Sequence, residues 1–141
     1  MPRHVKIFAH RGASGNAIEN TFDAFNKALE MKADGIEIDL QCSKDGQFFV
    51  FHDLNLFRLA GVNKSINDCL AEEIQKLKIG RHFIRRFMNM RIPSVDSFIT
   101  WLSKNPIAVN IELKESFLER RKELITWLMD LELPKGSHFS S

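Results

Sequence analysis

Two stretches of this sequence alternate apolar and polar residues with a period of two. In residues 36–40, Ile36, Ile38 and Leu40 alternate with Glu37 and Asp39, and in residues 109–114, Val109, Ile111 and Leu113 alternate with Asn110, Glu112 and Lys114. That period is the β-strand repeat, so each stretch places apolar side chains on one face and charged ones on the other. In residues 48–53, Phe49 and Phe51 share one face, and His52 falls on the face of Phe48 and Val50. Strands of a helix-covered parallel sheet are ordinarily apolar on both faces. Here the apolar rows can face covering helices, while the opposite rows carry Glu37, Asp39, His52, Glu112 and Lys114 toward a common interior. One such strand alone would read as an edge strand with its acids in water. Several with the same alternation argue for a shared polar interior.

The stretch "FAHRGASGNAIENTF" (residues 8–22) adds a second corner to that interior. Val5, Ile7 and Phe8 read as a buried strand, broken by Gly12 and Gly15. Thr21 to Met31 then shows helical spacing, with Phe22, Phe25, Ala28 and Leu29 on one side. Strand, polar loop, helix is the repeating unit of α/β enzymes, and the loop after the strand is where ligands bind.

The residue types define a chemistry. Buried unpaired carboxylates are costly, so Glu37, Asp39 and Glu112 on one interior require a cation. An oxygen-only donor set favours Mg²⁺ or Ca²⁺ over zinc or copper. His10 and His52 each end an apolar strand beside a charged residue, and imidazole can act as general acid or general base near neutral pH. Arg11 can present a bidentate fork to a phosphate, and Lys114 a point charge. A cation, a guanidinium, an ammonium and two imidazoles describe a site for phosphoryl chemistry.

Composition sets outer bounds. The chain has 141 residues and a formal net charge of +2. That is enough chain for one domain with a real core, and nothing in the charge demands nucleic acid. The basic run Arg81 to Arg91 reads as a solvated helix face with Phe83 and Phe87 turned inward. No apolar stretch is long enough to span a bilayer, and "MPRHVKIFAH" lacks the apolar core of a signal peptide. Cys42 and Cys69 form neither metal-ligand spacing nor a disulfide framework, which fits a reducing, cytoplasmic setting.

Further along, residues 54–67 read as a loop, Leu70–Leu77 as a helix, and Val95–Ser103 as a helix capped by Ser94. Residues 106–114 read as a strand, and 117–131 as a helix ended by Pro134 and Gly136. Asp45-Gly46 between apolar segments is a hairpin signal that would pair Asp39 with His52. A regular barrel instead requires a crossover between parallel strands. Both arrangements of residues 36–53 bring His52 near the carboxylates.

The ordered set His10-Arg11, Glu37-x-Asp39 and His52 resembles the signature of the glycerophosphodiester phosphodiesterase family. "ENT" (Glu19 to Thr21), "KDG" (Lys44 to Gly46), "FHD" (Phe51 to Asp53), "IPSVDSF" and "IELK" (Ile111 to Lys114) support it, in order, from about residue 5 to 116. Ile18 departs from it, since the family commonly has proline there. The resemblance implies an α/β fold of TIM-barrel, phospholipase-C-like phosphodiesterase type. It also implies hydrolysis of glycerophosphodiesters to an alcohol and glycerol 3-phosphate. Glu37, Asp39 and Glu112 would then hold a divalent metal, Ca²⁺ or Mg²⁺. His10 and His52 would be base and acid in an unassigned order, and Arg11 and Lys114 phosphate contacts. Glu19 would be a further ligand or support, with Asn20 beside it.

A TIM barrel typically needs about 250 residues. By this count residues 1–141 are a partial glycerophosphodiester phosphodiesterase domain, ending after about four strands and a stub of the fifth at "SHFSS". Open edges would then expose interior residues such as Phe48 and Val50 to water, and self-association of the half-barrel is expected. Two other functions fit the same motif: a catalytically inactive remnant, or a related lipid phosphodiesterase acting on sphingomyelin or lysophospholipids.

Overall fold

The computed structural model describes residues 5–15, 17–81, 85, 87–114 and 131–140. Its central strand, β2 (Gly35–Cys42), is buried along its whole length. β1 (Phe8–His10) and β4 (Ala108–Leu113) flank β2 in parallel, and β5 (His138–Ser140) continues the sheet parallel to β4. Parallel neighbours need crossovers, and helices α1 (Phe22–Glu30) and α4 (Val95–Lys104) lie on the first two. α4 starts at the expected cap, where Ser94 Oγ accepts from Ser97 N at 3.2 Å, and α1 is capped by Thr21, whose Oγ1 accepts from Ala24 N at 3.3 Å.

The inner faces of these helices pack Phe25, Ala28, Phe98 and Leu102 against Ile36, Ile38, Val109 and Ile111. The rings of Phe25 and Phe98 meet edge-on at 5.3 Å. On the other face of the sheet, register stacks side chains in layers. Phe8, Gly35 and Ala108 share one layer, His10, Glu37, Asn110 and His138 the next, and Asp39, Glu112 and Ser140 the third. Gly35 has no side chain because a Cβ there would sit 2.5 Å from the Phe8 ring and 2.8 Å from the Ala108 carbonyl. Parallel strands, outer helices and layered inner side chains make this an α/β fold of TIM-barrel type.

The arrangement of residues 36–53 resolves to a hairpin. β3 (Phe48–Val50) runs antiparallel to β2, on the edge that β1 occupies further down. Its register differs from the sequence expectation by one residue: Phe51 N donates to Asp39 O at 2.9 Å, so Asp39 faces Phe51 and not His52. The cause is the loop. Ser43 N donates to Gln47 O at 2.8 Å, closing a three-residue loop in which Gly46 takes φ 85°. Such loops end in a left-handed residue, and a one-residue slip exchanges the two faces of a strand. Phe48 and Val50 are therefore not exposed interior residues. They are 4% and 1% exposed and belong to the helix-side core. Phe49 and Phe51 take the opposite face, in a second core with Leu56, Ile66, Ile74 and Ile92. The other edge of β3 is also occupied, since Val50 N donates to Pro93 O at 2.8 Å.

Other expectations need correction. Val5 and Ile7 are 76% and 66% exposed and precede β1, because no described residue covers them there. Residues 54–67 are not plain loop, since a single helical turn, α2 (Phe57–Ala60), and the start of a 3-10 turn (Ile66–Asp68) fall within them. The helix over Leu70–Leu77 is present as α3 (Ala71–Lys76). Within Arg81 to Arg91 no helix occurs among the described residues, and Phe87 is 76% exposed instead of turned inward. Phe83 and residues 117–130 of the helix expected over 117–131 lie outside the described residues, and Leu131 is not helical.

Candidate active site

Strand alternation delivers the carboxylates. Asp39 and Glu112 are direct neighbours across β2 and β4, and Glu37 stands one layer below Asp39 on the same face. Glu37, Asp39 and Glu112 each offer an oxygen within 4.8 Å of the others. Asp39 is fully buried, and the buried oxygens Asp39 Oδ1 and Glu37 Oε1 have no hydrogen-bond partner. Orphaned buried carboxylate oxygens are costly, and a hard divalent cation would satisfy them with the oxygen donors it prefers. These residues fit such an ion.

The loop after β1 holds the acids from one side. Arg11 N donates to Glu37 Oε2 at 3.1 Å, Asn20 Nδ2 donates to Asp39 Oδ2 at 3.1 Å, and Asn20 N donates to Arg11 O at 2.8 Å. Arg11 and Asn20 both adopt φ 54°, an uncommon conformation for residues with side chains. Gly12 follows at φ 77°, and a Cβ there would lie 2.8 Å from Ala24, so the loop sits directly on the first turn of α1. Arg11 Nε lies 3.5 Å from Asp39 Oδ2, and Nη1 donates to Glu19 Oε2 at 3.0 Å. From the other side, Lys114 Nζ donates to Glu112 Oε1 at 3.1 Å and lies 3.4 Å from Asp39 Oδ1.

The charges respond accordingly. Burial, reinforced by the Asp39 charge, pushes the Glu37 carboxyl up to about 7. The hydrogen bond from Lys114 holds the Glu112 carboxyl below its ordinary value against burial. Burial works to lower Lys114, but its bond to Glu112 and the Asp39 charge prevail and hold it above the usual ammonium range.

The histidines occupy different settings. His10, at the end of β1, is largely exposed, with Nε2 3.4 Å from Glu37 Oε2. His52 is half-buried beyond β3, its carbonyl accepting from Gln41 Nε2 at 2.7 Å and its Nδ1 sitting 2.9 Å from Asp53 Oδ1. Two residues of this network were not singled out in the sequence. Asp53 fixes the His52 ring, and Arg58 on α2 bridges Asp53 and Glu19. Burial would raise both acids, but Arg58, joined by Arg11 at Glu19 and by His52 at Asp53, outweighs it and holds their carboxyls below the ordinary range. Asp53 had a sequence signal, its place next to a strand-ending histidine. Arg58 had none, because its approach to Glu19 is tertiary.

Parallel strands that bring carboxylates, cations and one histidine to their C-terminal ends, with a second histidine after the antiparallel β3, define a barrel-type α/β protein with a candidate site at those ends. Residues 10–130 match the model of the glycerophosphoryl diester phosphodiesterase family, and the chain belongs to that family. It is 39% identical over 112 residues to a glycerophosphodiester phosphodiesterase of Caldanaerobacter subterraneus, covering 79% of this chain and 46% of that protein. It is 31% identical over 132 residues to a lysophospholipase D of Rattus norvegicus, covering 89% and 41%. The structure of an Oleispira antarctica phosphodiesterase in complex with the product sn-glycerol-3-phosphate superposes with a TM-score of 0.81 at 27% identity, over 96% of this chain and 56% of that one. The chain thus spans about half the length of the relatives it matches. Among the described residues, no helix is long and apolar enough to cross a membrane.

Proposed function

We propose that residues 1–141, as part of a glycerophosphodiester phosphodiesterase domain, carry the cation-binding and acid–base residues for hydrolysis of glycerophosphodiesters to an alcohol and glycerol 3-phosphate. One observation carries this reading. Three carboxylates, two of them with an orphaned buried oxygen, meet within 4.8 Å, between Arg11 and Lys114, at the strand ends that also hold His10. Glu37, Asp39 and Glu112 are the ligands of one Ca²⁺ or Mg²⁺. Bound there, such an ion supplies positive charge to the non-bridging phosphate oxygens.

The chain's own residues do the rest. Arg11 and Lys114 add charge beside the phosphate, Arg11 steadied by Glu19 and Asn20 by its bond to Asp39. One histidine takes the proton of the attacking hydroxyl, the substrate's own glycerol 2-OH. Its oxygen bonds to phosphorus as the bond to the alcohol breaks, and the other histidine protonates the departing oxygen. Water then opens the resulting cyclic phosphate to glycerol 3-phosphate. The free, buried cysteines support a reducing, cytoplasmic setting.

A second reading is a lysophospholipase D. It is favoured by the rat relative and by a cavity of about 490 Å³ beside Asp53 and Arg58, where Phe57 is 63% exposed. Glycerophosphocholine, lysophosphatidylcholine and bis(p-nitrophenyl) phosphate, each with Ca²⁺, Mg²⁺ or chelator, separate the readings. Cation-dependent release of glycerol 3-phosphate from the first supports phosphodiesterase action, and preference for the acylated substrate supports the second. Absence of turnover under every condition refutes both.

A further inference from the structure

We infer that Arg58 is a positioning residue that locks His52 and Arg11 into one rigid array. The inference rests on the proposed phosphodiesterase reading. Arg58 Nε donates to Asp53 Oδ2 at 2.7 Å and Nη2 to Asp53 Oδ1 at 3.1 Å, a two-pronged grip on one carboxylate. Its third nitrogen, Nη1, lies 2.7 Å from Glu19 Oε1. Each acid passes the constraint on: Glu19 Oε2 accepts from Arg11 Nη1 at 3.0 Å, and Asp53 Oδ1 meets His52 Nδ1 at 2.9 Å. Arg11–Glu19–Arg58–Asp53–His52 is therefore one continuous chain, joining the loop after β1 to the segment after β3.

Most ion pairs of a half-exposed arginine contribute little. This one differs in three respects. Glu19 and Asp53 are only 11% and 21% exposed, the Asp53 grip is bidentate, and several charges form a network. The planar fork matters as much as the charge. A lysine could satisfy one acid but could not hold two at fixed separation. With Arg58 in place, Asp53 fixes the orientation of the His52 ring through Nδ1 and leaves Nε2 for the reaction. Glu19 is held at the same time as the anchor of Arg11.

Such a role predicts loss of rate more than loss of binding, since misplacing a reacting group by about an ångström can cost about 10²-fold. Arg58→Gln and Arg58→Lys should each lower kcat by about 10–100-fold with KM changed less than about threefold. Because Arg58 acts through Asp53, Arg58→Gln should cost far less in an Asp53→Asn background than in the wild type, a non-additivity that separate structural effects would not give. A readout independent of turnover is the His52 Nδ1–H signal in ¹⁵N-histidine-labelled chain. It should be protected from solvent exchange in the wild type and lost in both Arg58 variants, while the backbone amide spectrum shows that each stays folded.

Protected His52 Nδ1–H in a folded Arg58 variant would overturn the inference, as would additive losses in the cycle. A rise in KM at constant kcat would also overturn it, by making Arg58 a substrate contact. If the wild type hydrolyses no phosphodiester, the functional reading fails, and the imidazole signal still decides whether Arg58 orders His52.

Discussion

Glu37 concentrates the electrostatic cost of the site. Its carboxyl, ordinarily near 4.5, is raised to about 7, first by burial and then by the Asp39 charge. A carboxyl with a higher pKa in the folded state holds more protons there than in the unfolded chain. Its contribution to stability therefore falls as pH climbs from about 4.5 to about 7, and the full penalty stands above that. In chelator, the wild type should lose thermal stability between pH 5 and pH 8 relative to Glu37→Gln, which keeps an acceptor for Arg11 N. Saturating Ca²⁺ or Mg²⁺ should restore the wild type at pH 8 and have a much smaller effect on the variant. Coincident pH profiles for the two proteins would remove Glu37 as the source. The histidines give a second test at this scale. His10→Ala and His52→Ala should each lower turnover by about 10²–10⁴-fold while calorimetry finds cation binding retained. A variant with near-normal rate would exclude that histidine from proton transfer.

At the scale of elements, much was legible because local signals and tertiary packing agree. The helical spacing from Thr21 contains α1, Ser94 caps the helix expected from it, and the alternation in β2 and β4 placed Glu37, Asp39 and Glu112 on one face. The register of β3 was not legible. It depends on whether the chain turns in two residues or three, which is settled by the left-handed Gly46 and by Ser43 bonding Gln47. One residue of difference moved Phe48 and Val50 to the helix side. Val5 and Ile7 misled because apolar character alone does not say whether anything lies above a strand's entry. Two glycines allow backbone strain to be separated from packing. Gly46 and Gly12 both have positive φ, but a Cβ at Gly46 meets nothing within 4 Å, whereas one at Gly12 meets Ala24 at 2.8 Å. Gly46→Ala should cost only the backbone term, about 1–2 kcal/mol. Gly12→Ala adds overpacking against α1, about 1–3 kcal/mol more. Urea melts of the two variants check the order, and equal losses would show that the Arg11–Gly12 loop can move off the helix.

At the scale of the whole molecule, the described sheet that carries the site is open at both ends. β1 and β5 end the sheet, and among the described residues no strand pairs with their outer edges. A closed barrel of this type has about twice as many parallel strands, with its inner layers completed by side chains from the opposite wall. Here the layers of Glu37 and Asp39 continue only as far as His138 and Ser140 on β5. Unpaired strand edges are templates for pairing with another chain. The exposed Val5 and Ile7 just before β1 add apolar surface at one of those edges, at 76% and 66% exposure. We therefore expect the isolated 141-residue chain to self-associate, with a second copy closing part of the open side. A site on a sheet left open among the described residues should also turn over slowly, since catalysis of this kind depends on groups held to within about an ångström. The two expectations are coupled, because association that completes the site must raise activity. Specific phosphodiesterase activity should then increase with protein concentration over the range in which light scattering shows monomers giving way to dimers. Replacing Ile7 with lysine, which charges the β1 edge without touching the carboxylates, should shift both curves to higher concentration together. A monodisperse monomer whose specific activity is independent of concentration would show that four parallel strands and their loops hold the reacting groups well enough alone.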